Sequence, residues 1–72
     1  MQVKVMNRTY RMSKTEYKKL LGVAKEQVPF GIYAVEKNGY AELRNDRCDS
    51  VTKLKALKRQ FKREGFKVCA NE

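Results

Sequence analysis

The sequence predicts one small α+β domain in which the elements run β(β)-α-β-β-α-β. Three observations carry this reading. Asn38-Gly39 separates two runs of β-forming residues, the pattern of a two-residue hairpin turn. Ser13-Lys14-Thr15-Glu16 opens one stretch of helical periodicity with a capping box, and Asp49 or Ser50 opens a second that Gly65 closes. Apolar residues alternate near both ends of the chain, which supplies the remaining strands.

At the start, Val3 and Val5 alternate with Lys4, and Tyr10 and Met12 flank Arg11. This predicts a hairpin turning at Asn7-Arg8, or a single bent strand. The first helix begins after Ser13, with Met12 positioned to pack on Tyr17 as a hydrophobic staple. Tyr17, Leu20, Leu21, Ala24 and Val28 recur at helical spacing and form its expected buried face, while Lys14, Lys18, Lys19 and Lys25 point elsewhere. Gly22 within the helix predicts close approach of another backbone, and Pro29 ends it.

The hairpin joins Ile32–Lys37 to Tyr40–Arg44, and its two-residue loop sets Lys37 opposite Tyr40, Val35 opposite Glu42, Ala34 opposite Leu43 and Tyr33 opposite Arg44. One side then carries Ile32, Ala34, Ala41, Leu43 and a dissenting Glu36, suited to packing beneath helices. The other carries Tyr33, Val35, Lys37, Tyr40, Glu42 and Arg44, and is either an open face or the buried one. Asn45-Asp46-Arg47 reads as a polar connection. In the second helix Leu54, Leu57 and Phe61 share a stripe toward the core. Phe66, Val68 and Ala70 then alternate with Lys67 and Cys69 as a last strand. The element order resembles the ferredoxin-like split βαβ pattern, which implies an antiparallel sheet with both helices on one face.

Composition narrows the function. Seventy-two residues make one domain, residues 1–72, with a small core. A net charge of +9 opposes its own compaction, and an anionic partner offsets that cost. DNA or RNA is the expected partner, with an acidic protein surface as the alternative. No apolar run is long enough for a membrane span and no signal-peptide core is present, so the expectation is a cytoplasmic protein away from membranes. With no histidine and only Cys48 and Cys69, neither a zinc site nor another cofactor is expected, and the cysteines read as free thiols. Asp46 and Asp49 are explained as turn and cap residues, so no enzyme is expected.

Two candidate sites follow. The second helix carries Lys55, Lys58, Arg59, Lys62 and Arg63 along one arc, with Lys53 and Lys67 near its ends. Several cations held on a rigid face suit phosphates, because each neutralised phosphate releases counterions. Lysine gives a point charge and little base reading, so sequence preference is expected to be weak. The second candidate is the hairpin face, where Tyr33 and Tyr40 flanked by Lys37 and Arg44 suit stacking on unpaired bases. Gly39-Tyr40-Ala41 within this order resembles part of the third-strand signature of RNA-recognition-motif domains. Glu42 and Lys4 stand where that signature has aromatics. The stretches NRTYRMSKTEYKKLL and KNGYAELRND resemble short lysine-rich proteins of bacterial phages and conjugative elements. That resemblance implies a bacterial or phage-infected cytosol and either a nucleic-acid accessory role or inhibition of a host protein, as by an anti-CRISPR.

Overall fold

The computed structural model describes all of residues 1–72 as an α+β fold with five strands and two helices. β1 (Gln2–Val5) and β2 (Arg8–Arg11) form the N-terminal hairpin, and α1 spans Lys14–Gln27. β3 (Gly31–Lys37) and β4 (Tyr40–Arg47) form the central hairpin, followed by α2 (Val51–Arg63) and β5 (Lys67–Asn71). No helix is long and apolar enough to cross a membrane.

Local signals set the ends of these elements. Ser13 Oγ accepts the Glu16 amide at 3.2 Å and Ser50 Oγ accepts the Lys53 amide at 3.2 Å, so serines cap both helices. At the other end of α2, the Gly65 amide reaches Lys62 O and the Phe66 amide reaches Phe61 O, with Gly65 at φ 89°. This pair of bonds is a Schellman closure. Asn38 and Gly39 take φ 48° and 78°, as a type I′ turn requires. The first hairpin turns at Met6-Asn7, one residue earlier than expected, with Met6 at φ 58°.

The sheet has the order β2-β1-β4-β3-β5 and is mixed, because β1 runs parallel to β4 while all other pairs are antiparallel. A fully antiparallel sheet was the expectation. β1 lies between β2 and β4, and β5 takes the free edge of β3. That edge is two strand spacings from β4, about 10 Å, whereas the β2 edge is three spacings away, about 14 Å.

This order also decides where the helices go. The pairings make β2 parallel to β3 and β4 parallel to β5, so α1 and α2 each serve a crossover between parallel strands that are not neighbours in the sheet. Both crossovers advance the same way across the sheet, but along strands of opposite direction. Right-handed connections then require helices on opposite faces. The core divides accordingly, correcting the expectation that one face holds both helices. Val3, Tyr17 and Ala41 form one buried cluster with Leu21 and Leu43 under α1, and Ile32, Val35 and Leu54 form another with Leu57, Phe61 and Val68 under α2.

An irregularity makes the second cluster possible. Strict alternation puts Ile32 on the same face as Ala34, but the register shifts between these residues on both sides of β3. Ile32 therefore joins Val35 beneath α2, and Asp46, not Arg44, lies opposite this part of β3. Gly31 allows it. It lies at φ 144°, and a Cβ there would come within 2.1 Å of the Asp46 carbonyl oxygen. Gly22 meets nothing within 4 Å, so the close approach expected there belongs to Gly31. The expected connection Asn45-Asp46-Arg47 is a continuation of β4. Leu20, expected in the core, is exposed on α1.

Candidate functional site

The amphipathic character of α2 separates its charges from its core residues. Leu54 is buried and Leu57 and Phe61 are half-buried against β3 and β5, which turns the neighbouring arc of cations outward. Lys55, Arg59, Lys62 and Arg63 are exposed and form no ion pair. Two other cations of the helix are engaged. Lys53 meets Asp49 at 3.1 Å, one turn earlier, and Lys58 pairs with Glu72 just beyond β5. Lys58 lowers the pKa of the Glu72 carboxylate, first by hydrogen bonding and then by its charge, with Lys55 and Lys62 adding to the effect. Glu72 is thus the internal counterion of this arc. Sequence periodicity has no means of finding it, since the contact spans fourteen residues.

Lys67 lies away from that arc. It pairs in register with Glu36, on the α1 side of the sheet, and lowers the pKa of Cys69 against a net upward shift caused first by burial. The hairpin candidates are also redistributed. Lys37 Nζ donates to Glu64 O at 2.8 Å, capping α2, and lies 5.4 Å from the Phe66 ring centre. Arg44 donates to Asp46 at 2.7 Å and Glu42 at 2.9 Å while stacking 5.1 Å from the Phe61 ring centre. The Asp46 hydrogen bond is the main cause of a raised Arg44 pKa, partly opposed by burial. Both cations have internal partners.

The tyrosines separate as well. Tyr40 pairs with Lys37 and Gln2 at one end of the face that α2 shares, whereas Tyr33 stands at the β3 irregularity on the side of Glu36 and Cys69. They do not make one stacking platform. Val35, between them in the expected face, is fully buried beneath α2.

Glu36 is the polar centre of the α1 face. Tyr17 donates to its Oε2 at 2.6 Å, and the Cys69 thiol reaches the same oxygen at 3.7 Å. Burial, followed by the hydrogen bond to Glu36, pushes the Tyr17 pKa well up; burial is the leading cause of upward shifts at Tyr33 and Cys69 too. Unfolded, these groups lose protons near 10.0, 10.0 and 9.0 respectively. The fold retains those protons, so the unfolded state binds fewer of them as pH rises past these values, and stability falls. Tyr17→Phe is expected to cost about 1–2 kcal/mol at neutral pH and to make the alkaline loss shallower, both measured by urea unfolding. An unchanged alkaline slope would remove Tyr17 as a source.

Cys48 packs in the α2-side cluster and Cys69 faces the other way, and both are free. No three His, Cys, Asp or Glu side chains gather as a metal site requires. Comparisons with protein-family models, with curated proteins and with solved structures find no match to this chain.

Proposed function

We propose that this domain binds nucleic acid without catalysis, through the phosphates of duplex DNA laid along α2, with weak sequence preference. The supporting observation is the row of four exposed, unpaired cations, Lys55, Arg59, Lys62 and Arg63, on one side of a 13-residue helix. Such a helix is roughly 20 Å long, and the major groove of B-DNA, about 12 Å wide, admits a helix. The deep, narrow major groove of duplex RNA does not offer the same access. Single strands are disfavoured because Tyr33 and Tyr40 are separated and Lys37 and Arg44 are internally bonded. The setting in a bacterial or phage-infected cytoplasm belongs to the same proposal.

Titration of the protein with short duplex DNA, duplex RNA and single-stranded DNA, followed by fluorescence anisotropy, tests this reading. Duplex DNA is expected to bind most tightly, with affinity falling steeply with salt; equal, weak binding to all three would overturn it. Glu72→Gln should release Lys58 and strengthen duplex binding roughly two- to fivefold, steepening the salt slope by up to about 0.9.

A second reading, recognition of a host protein, is favoured by a separate feature. Met6, which is 87% exposed, lines an apolar groove of about 450 Å³ with Leu20, Val23 and Leu43. A protein inhibited or modulated through this groove would bind equally well after the α2 cations are removed.

A further inference from the structure

At the hairpin end of the sheet, a hollow of about 330 Å³ is lined by Lys14, Lys37, Lys67, Glu36 and the Asn38-Gly39 turn. Three elements far apart in sequence bring these lysines together: the first turn of α1, the end of β3 and the start of β5. Lys14 and Lys67 are exposed and form no ion pair. Lys37 uses one ammonium proton on Glu64 O, leaving two for another acceptor. The single acid in the lining, Glu36, has one carboxylate oxygen occupied by Tyr17 and Cys69. The lining is therefore positive overall, and its free charges come from side chains with no structural partner.

The hollow also adjoins α2. Lys37 spans the two, since its stem lies 3.3 Å from where a Cβ on Gly65 would stand and its ammonium holds the last carbonyl region of the helix. We infer that this hollow is a second phosphate-contact point, in which Lys14 and Lys67 take a backbone phosphate of the same duplex after it passes the C-terminal end of α2. This rests on the nucleic-acid reading and extends its footprint from one helix to the end of the sheet. A shallow hollow with exposed lysines suits a passing strand, whose adjacent phosphates are already held by α2.

The test is the salt dependence of duplex DNA binding for the unaltered chain, for Lys14→Gln/Lys67→Gln and for Lys18→Gln/Lys25→Gln. The control pair removes the same charge from exposed α1 positions outside the hollow. Two lost phosphate contacts should make the slope of log affinity against log salt shallower by about 1.8 in the first variant, with little change in the control. Equal slopes in both variants would overturn the inference while leaving binding through α2 in place. Absence of salt-dependent binding by the unaltered chain would overturn the α2 reading and this inference with it. A parallel titration with inorganic phosphate at matched ionic strength distinguishes the source. Amide signals of Lys14 and Lys67 should shift with duplex and not with phosphate at equal phosphate concentration. Shifts that saturate with inorganic phosphate alone would make the hollow a free-anion site and overturn the duplex contact.

Discussion

Replacing Lys55 and Arg59 by glutamate, and Lys62 and Arg63 by glutamine, is expected to weaken duplex DNA binding at least about 100-fold and to make its salt slope shallower by about 3.6. Four free cations on α2 engaging four phosphates give a slope of log affinity against log salt near −3.6. Between 50 and 200 mM salt that slope amounts to a roughly 150-fold loss of affinity. Lys53 and Lys58 add little because Asp49 and Glu72 already hold them. Glutamine is chosen at Lys62 and Arg63 because they occupy the last turn, where acidic side chains would oppose the helix dipole by about 0.3–1 kcal/mol each. The four side chains make no ion pair within the fold, so thermal unfolding and far-ultraviolet circular dichroism should stay close to those of the unaltered chain. Binding that survives in a folded variant would remove α2 as the contact surface. Survival of a protein interaction instead would favour the groove beside Met6.

Gly31→Ala is expected to destabilise the domain by about 3 kcal/mol or more, while Gly22→Ala stabilises it by about 0.5–1 kcal/mol. The first substitution drives a methyl group to 2.1 Å from the Asp46 carbonyl oxygen and imposes a side chain at φ 144°. Relief requires β3 and β4 to separate where the register shifts, which would withdraw Ile32 from beneath α2. A domain this small has about 4–11 kcal/mol of stability in total, so much of it would be lost. The second substitution adds a methyl group in open space within a helix and reduces the freedom of the unfolded chain. Urea unfolding of both variants measures the contrast. A Gly31→Ala protein within about 1 kcal/mol of the unaltered chain would contradict the close approach of the two strands.

These two experiments fall on opposite sides of what could be read in advance. Lys55, Arg59, Lys62 and Arg63 were legible as a cationic arc because a helical period of 3.6 residues relates positions only three or four apart. The withdrawal of Lys58 and Lys37 was not legible, as their partners Glu72, Glu64 and Phe66 are set by the docking of α2 on the sheet. Lys14 gave no sign of a site beyond its charge, since its companions in the hollow lie on β3 and β5. Gly22 and Gly31 make the same point. A glycine is visible in sequence, but which glycine another backbone approaches depends on that backbone.

By itself the sequence determined the two helices, the serine caps, the Asn38-Gly39 turn and the closure at Gly65, because each depends on hydrogen bonds and periodicity within a few residues. The tertiary structure alone decided the strand order, the parallel pairing of β1 with β4 and the placement of the helices on opposite faces. β1 lies between β2 and β4, β5 closes on the nearer edge beside β3, and two crossovers of one hand along strands of opposite direction put the helices on opposite faces. Edge choice and handedness are properties of the assembled sheet, and no local window of residues contains them.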